Sequence, residues 1–288
     1  MRHCLALLVL LLSLPLSAAQ LHLELGATTR QWSSAELLDH PQARDISIDQ
    51  DVSYKQPMHY RAVPLAALLD GVSASDHLQA VALDGFAAEM PAAPLLQHGP
   101  AQAWLAVEEP GRPWPPLGQG KPSAGPFYLV WTAPQASGIR PEQWPFQIST
   151  IRKLASVEAR FPALLPDPKL PADSPVRRGF ALFQQNCLAC HRLNGAGDAQ
   201  LGPDLNVPHN PTEYFRPEYL RQLIRDPQSL RQWPQAKMPG FAESVLSEPE
   251  LDELLAYLRH MAGRRPCVAM GRKAAPNSQS LRLWAAPA

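Results

Sequence analysis

Five consecutive residues in the C-terminal half have the types and spacing needed to hold a prosthetic group covalently. They are Cys187-Leu-Ala-Cys190-His191, in which two thiols are separated by two residues and followed at once by an imidazole. Thiols at this spacing can form thioethers with the two vinyl groups of one porphyrin, while the adjacent imidazole reaches the iron. The motif therefore predicts one covalent haem c, attached at Cys187 and Cys190 and ligated by His191.

Two other kinds of site use the same cysteine spacing. A thioredoxin-like redox pair is expected within a βαβ pattern, and half of a zinc site requires a second Cys or His pair at ligand spacing. Neither context surrounds Cys187 and Cys190 in the sequence. The haem interpretation is therefore favoured.

The last helical pattern of the chain is well defined. Ser247 and Glu250 have the spacing of a capping box, in which each residue's side chain bonds the other's backbone N–H. Apolar residues then recur at helical spacing, at Leu251, Leu254, Leu255, Leu258 and Met261. We expect a helix here with one buried face.

The segment from about Ser174 to Gly263 resembles the small class I cytochromes c. Four residues before the motif share one helical face, as in the first helix of that family: Val176, Gly179, Phe180 and Phe183. The loop Gly202-Pro-Asp-Leu205 resembles the family's loop beneath the first iron ligand, and Lys237-Met-Pro-Gly-Phe241 resembles its distal Met-Pro loop. The resemblance implies an all-α domain in which the two terminal helices cross.

The resemblance also implies roles for loop residues. The Pro203 carbonyl is expected to accept a hydrogen bond from His191 Nδ1, and Met238 is expected to be the second axial ligand. Other side chains remain open as that ligand, namely Met261, Met270, His209 and His260. Three further residues are candidates to contact the haem or its propionates, with packing or solvation as the simpler interpretation: Tyr214, Arg231 and Trp233.

The N-terminal half has a different character. At 288 residues the chain is long enough for two domains. Helical patterns are brief and fall at Ser34 to Asp39 and at Pro64 to Asp70. Strand patterns are more frequent and fall at Leu21 to Gly26, Ile46 to Asp49, Leu78 to Leu83, Trp104 to Val107, Phe127 to Trp131 and Phe146 to Ile151. This half is therefore predicted to be mixed α/β.

The order of several N-terminal motifs resembles the molybdopterin domain of sulfite oxidase-like proteins. They are Tyr60-Arg-Ala-Val-Pro-Leu-Ala-Ala-Leu-Leu69, Ala82-Leu-Asp-Gly-Phe86, Gly125-Pro-Phe-Tyr-Leu-Val-Trp131 and Trp144-Pro-Phe-Gln-Ile148. That family holds molybdenum through a cysteine thiolate upstream of the first motif, and residues 46–59 contain no cysteine. We therefore expect the scaffold without molybdopterin, used for binding or docking.

One polar group stands out in this half. Asp49, Asp51, Tyr54, Met58 and His59 could line the remnant of that pocket or take a metal. Their spacing shows no ligand periodicity, so a polar loop between a strand and a helix is favoured.

Both ends of the chain carry further signals. A basic start, an apolar run from Cys4 to Leu16 and a small-residue exit at Ser17-Ala-Ala19 have the layout of a Sec-type signal peptide cleaved after Ala19. The run is too short to anchor the chain in a membrane, so no span is expected after removal. From Leu254 to Ala288 there is no acidic residue, and the tail also holds Cys267, the thiol left over after haem attachment.

These patterns divide the chain into five segments. They are a signal peptide at 1–19, the α/β module at 20–160, a proline-rich linker at 161–173, the cytochrome domain at 174–263 and a basic tail at 264–288. Basic and acidic residues balance at 26 each, which gives no indication of nucleic-acid binding.

Two functions are compatible with this layout. The first is a periplasmic electron carrier, rather than a stand-alone catalyst, whose N-terminal module docks a redox partner protein. The alternative is a bifunctional oxidoreductase whose N-terminal domain oxidises a small substrate and reduces the haem.

Overall fold

The computed structural model describes residues 18–199, 201–232 and 237–266. Two separate hydrophobic cores divide this part of the chain. The first core runs from Leu21 to Ile151, and the second runs from Val157 to Met261. The predicted leader, apart from its last two residues, lies outside the described residues, as do Trp233, Cys267 and Met270.

Nine strands form two sheets around the first core. The strands are β1 (Gln20–Glu24), β2 (Thr29–Ser33), β3 (Arg44–Ile48), β4 (Met58–Pro64), β5 (His77–Ala82), β6 (Ala87–Pro91), β7 (Gln102–Val107), β8 (Phe127–Thr132) and β9 (Ile148–Leu154). One sheet has the order β2-β1-β9-β5-β6, and the other has the order β3-β4-β7-β8. All pairings are antiparallel except that of β1 with β9.

Alternation of buried and exposed side chains explains why some strands could be predicted from the sequence. In β1 the side chains of Leu21 and Leu23 are buried, whereas Gln20, His22 and Glu24 are exposed. This is the period of two that a half-buried strand requires. All six strands expected from the sequence are present, and the mixed α/β character of this half is confirmed.

Three strands were not predicted. β2 is a polar edge strand in which only Trp32 is buried, and β6 carries small alanines rather than β-branched residues. The polar loop was expected to lead from a strand into a helix. It instead leads from β3 into β4, the third unpredicted strand, so that expectation was wrong. The helix expected from Pro64 is a single 3-10 turn at Leu65–Leu68.

Eight α-helices accompany the strands within the described residues. Three short ones lie in or just after the sheet region: α1 (Ser34–Leu38), α2 (Ala92–Leu95) and α3 (Val157–Arg160). Five form the C-terminal part: α4 (Pro175–Asn186), α5 (Pro211–Tyr214), α6 (Pro217–Arg225), α7 (Pro227–Leu230) and α8 (Glu248–Ala262). The described residues of this part contain no β-strand. The predicted change from mixed to helical architecture is thus observed.

Helices α4 and α8 pack directly against each other. The Ser247–Glu250 capping box is present at the start of α8, and all five residues of its predicted apolar stripe are buried. At Gly179 the helices approach so closely that a β-carbon would lie 2.0 Å from the Glu253 carbonyl oxygen. The predicted meeting of these two faces is therefore confirmed.

The proline-rich segment packs against α8. Leu164 is fully buried in the second core, and its carbonyl oxygen accepts a hydrogen bond of 2.8 Å from Tyr257 Oη. The backbone N–H of Asp167 donates to His260 Nε2 at 3.0 Å. The segment is therefore held against the helical region at both positions.

No described helix is both long enough and apolar enough to cross a membrane.

Candidate functional site

The loop that carries the two cysteines begins where α4 ends. Cys187 is the C-cap of α4, and its carbonyl oxygen accepts hydrogen bonds from the backbone N–H groups of Cys190 (3.1 Å) and His191 (2.8 Å). The two intervening residues, Leu188 and Ala189, are buried. A tight turn therefore holds both thiols and the imidazole as one unit on the second core.

The imidazole of His191 is fixed from one side. Its Nδ1 lies 2.8 Å from the Pro203 carbonyl oxygen, as the resemblance predicted, so the neutral ring donates from Nδ1. Burial lowers the pKa of His191, against the effect of the Pro203 hydrogen bond, and so favours the neutral form. Nε2 is then the nitrogen left with a lone pair for a metal.

Gly202 leaves room for this ring. A β-carbon at this position would lie 2.4 Å from His191 Cε1 and 2.5 Å from Nδ1. The Gly202 N–H also donates to the Cys190 carbonyl oxygen at 2.8 Å. The loop therefore lies against the imidazole with its backbone.

We expect Gly202→Ala to move the His191 ring while leaving most of the fold intact, because the added methyl group meets a side chain rather than backbone. The measurable result is an altered axial-ligand spectrum in haem-loaded protein. Gly263→Ala is the control, since its β-carbon would have only one neighbour, the His260 carbonyl oxygen at 3.7 Å. An unchanged spectrum in Gly202→Ala would show that the ring is not constrained from this side.

Both cysteines of the motif are half-buried, and both thiols are protonated. Burial, and secondly the negative charge of Glu142, raises the pKa of Cys187 to about 12, and the same two causes raise the pKa of Cys190 to about 12. A reactive redox pair requires a lowered thiol pKa instead. The environment therefore argues against a reactive redox pair.

Buried asparagines connect the histidine loop to α8. Asn206 is fully buried, and its Nδ2 donates to Asn194 Oδ1 and to the Met261 carbonyl oxygen, each at 2.6 Å. Asn210 is also fully buried, and its Nδ2 donates to Asn206 Oδ1 (2.9 Å) and to the Leu258 carbonyl oxygen (3.0 Å). This network was not predicted from the sequence, and it fixes the loop after His191 because buried amides need their partners.

The loop of Met238 is held by α6. Met238 is half-buried and packs against the second core. The Phe241 N–H donates to the Ile224 carbonyl oxygen at 3.0 Å, and Arg225 Nη1 donates to the Phe241 carbonyl oxygen at 2.8 Å. At Gly240 a β-carbon would lie 2.4 Å from the Arg225 carbonyl oxygen, so this approach requires glycine.

The other candidate ligands have different surroundings. Met261 is 1% exposed and belongs to the second core, while His260 accepts the hydrogen bond from Asp167 already described. His209 is exposed. Among the described candidates, these positions leave Met238 as the methionine in a loop rather than in a packed helix.

The three residues considered for contact with the haem or its propionates fall at the surface or outside the described residues. Tyr214 is 62% exposed, and its ring centroid lies 4.8 Å from that of Phe215. Arg231 is exposed just after α7, and Trp233 is outside the described residues. Their roles stay predictions.

A known family matches this region. The cytochrome c family model matches residues 176–262. The C-terminal part is a cytochrome c domain. No curated protein matches the chain. The matched domain implies haem c and one-electron transfer with a redox partner.

The residues of the cytochrome domain fit a haem. Its donor set is two protonated thiols and a neutral, oriented imidazole, which suits thioether attachment and one axial bond. Residues 18–199, 201–232 and 237–266 contain no group of three or more His, Cys, Asp or Glu side chains that could hold a bare metal ion. Cys187 and Cys190 would attach the haem, and His191 and Met238 would ligate its iron.

The polar group of the N-terminal half is built around Asp51. This carboxylate is 2% exposed and accepts hydrogen bonds from the backbone N–H groups of Ser53 and Tyr54, each at 2.8 Å. It also accepts from Tyr60 Oη (2.7 Å) and Tyr128 Oη (3.1 Å). Burial, and secondly the bond to Asp51, raises the pKa of Tyr60, so the phenol stays a donor. Asp51 is occupied in holding this loop to the sheet.

The first two basic residues of the predicted tail are part of the fold. Arg264 Nη1 lies 3.4 Å from Asp167 Oδ2, and Arg265 forms an ion pair with Glu213 at 2.5 Å. Arg265 Nε also donates to the Asn206 carbonyl oxygen at 2.8 Å. Arg264 is therefore engaged with the proline-rich segment, and Arg265 with the cytochrome domain. The remaining basic residues of the tail lie outside the described residues.

Proposed function

We propose that the chain is a periplasmic c-type cytochrome that carries single electrons through one covalently bound haem. The observation that carries the proposal is the attachment loop, in which both thiols and an imidazole hydrogen-bonded to Pro203 share one tight turn. The haem iron supplies the one-electron chemistry when bound. The chain's own residues attach the group, orient its ligands and exclude water.

Each of these tasks falls to particular residues. Cys187 and Cys190 attach the haem, which keeps it in place in either oxidation state. His191 and Met238 would ligate its iron, and the packed α4 and α8 helices would keep solvent away. A thioether ligand in a dry site stabilises ferrous iron and thus favours a relatively high reduction potential.

We propose that the N-terminal half is a sulfite oxidase-like scaffold that serves as a docking or binding module rather than a molybdenum enzyme. The order of its sequence motifs and the absence of a cysteine from residues 46–59 support this assignment. The leader sequence supports export by the Sec route with cleavage after Ala19, followed by haem attachment in the periplasm. The partner is a redox protein that exchanges one electron at a time.

The decisive experiment is haem retention by denatured protein. Thioether bonds survive denaturation, whereas coordinate bonds do not, so haem should migrate with the chain on a denaturing gel. It should also remain with the protein in acidified organic solvent. Extraction of the haem from intact wild-type protein would refute covalent attachment.

Metal and pterin analysis of the same preparation tests the N-terminal assignment separately. We expect one iron per chain and no molybdenum. Molybdenum at one atom per chain would overturn the docking assignment and favour the bifunctional oxidoreductase.

A further inference from the structure

The hairpin of β5 and β6 contacts two loops of the cytochrome domain at once. The Ala87 N–H donates to the carbonyl oxygen of Ala189, which lies between the two attachment cysteines, at 3.1 Å. At the hairpin turn, Asp84 Oδ2 forms an ion pair of 3.0 Å with Lys237 Nζ. Lys237 directly precedes Met238. One turn of the N-terminal half therefore lies against both the attachment loop and the methionine loop.

A second contact lies on the histidine side. Asp198 belongs to the loop between His191 and Pro203, and its Oδ2 accepts a hydrogen bond of 2.7 Å from Gln79 Nε2 on β5. Gln79 is fully buried. The same carboxylate is ion-paired with Arg160, which also pairs with Glu89 on β6. Because partly buried charges need partners, this network resists displacement of the loop.

A third contact fixes the helix that closes the domain. Arg140, which precedes the 3-10 turn at Pro141–Gln143, forms an ion pair of 2.5 Å with Glu250. Glu250 is the capping-box residue of α8. The 3-10 turn itself packs against α4. The N-terminal half thus contacts both ligand loops and both of the helices that support them.

We propose that the N-terminal domain is a clamp that positions the two axial-ligand loops of the haem, through Asp198 on the histidine side and Asp84 on the methionine side. This inference rests on the proposed function and adds an internal role for the N-terminal domain to its role in docking. Asp84 and Asp198 are positioning residues, since each acts through a loop rather than on the iron.

The physical reason lies in ligand strength. A thioether is a neutral, weak donor, so its occupancy of an iron site depends on a loop that holds it in place. Partners that orient a ligand without touching the metal contribute to its affinity in this way. If the contacts of Asp84 or Asp198 are weakened, competing ligands should therefore bind the iron before the fold is lost.

The test for Asp84 is imidazole binding to the full-length ferric protein. The Asp84–Lys237 pair is solvent-exposed, so we expect Asp84→Asn to raise the affinity for imidazole only about two- to fivefold. Lys237→Gln removes the same pair from the other side and should reproduce the effect. Exchanging the charges, Asp84→Lys with Lys237→Asp, should restore the wild-type affinity.

The test for Asp198 is the set of hyperfine-shifted haem methyl resonances of the ferric protein, which report the orientation of the axial ligands. We expect Asp198→Asn to shift them, because the ion pair with Arg160 is lost while the amide can still bond Gln79. Arg160→Gln should cause a similar shift.

Asp76→Asn is the matched control for both tests. Asp76 forms an ion pair of 2.7 Å with Lys153 in the same sheet, at the end of β5 away from the hairpin turn. If Asp84→Asn and Asp198→Asn match this control in imidazole affinity and haem resonances, the clamp is overturned. If the wild-type protein carries no covalent haem, the proposed function itself is overturned, which is a different outcome from failure of the clamp alone.

Discussion

Met238→Ala is expected to abolish the weak near-infrared band that a methionine sulfur gives with ferric haem iron. It should also lower the reduction potential, because loss of the thioether removes a ligand that stabilises ferrous iron. Axial ligands are a strong determinant of haem potential, which spans about 0.8 V among proteins that differ in them. Absorption of the ferric protein and a redox titration measure both effects.

Met261→Leu is the matched control for this experiment. Met261 is the buried methionine of α8, and leucine conserves its volume and apolar character. The control should keep the near-infrared band and the potential. If Met238→Ala keeps the band, another methionine is the ligand, and the role proposed for the loop at 237–241 is wrong.

Gly179→Ala is expected to destabilise the cytochrome domain by up to about 2 kcal/mol, because overpacking a well-packed core usually costs roughly 1–3 kcal/mol and alanine gains about 1 kcal/mol over glycine within a helix. The added β-carbon would lie 2.0 Å from the Glu253 carbonyl oxygen and 2.8 Å from Tyr257 Cβ. Because the nearer atom belongs to the backbone of α8, the clash is relieved only by separating the helices.

Denaturant unfolding of haem-loaded protein measures this change in the free energy of unfolding. Gly263→Ala, at the end of α8, serves as the reference, because its β-carbon would make only an ordinary contact at 3.7 Å. A Gly179→Ala protein as stable as this reference would mean that the two helices do not approach so closely in solution.

Local sequence patterns were sufficient where local physics decides the structure. The Cys-x-x-Cys-His spacing, the capping box of α8 and its apolar stripe all depend on residues close to each other in the chain. The same is true of β1, whose alternation places Leu21 and Leu23 in the core. These features could be predicted because their partners are neighbours in the chain.

The missed elements show where such patterns fail. β2 and β6 lie at the two edges of their sheet, where a strand needs little apolar surface, and their sequences carry few strand-forming residues. Gly179 gives no local sign that a backbone carbonyl of α8 will face it. Resemblance to a family suggested that the helices meet, but only packing defined how closely.

The sequence by itself therefore determined the Cys-x-x-Cys-His motif, on which the proposed haem attachment rests, and the helices beside it. Only the tertiary structure decided which residues of the N-terminal half reach that site. Asp84 pairs with Lys237 across 153 residues, and Gln79 bonds Asp198 across 119. Charged and amide side chains are common along the chain, and no spacing rule links such distant partners. Their pairing is fixed by how the hairpin of β5 and β6 packs on the cytochrome domain.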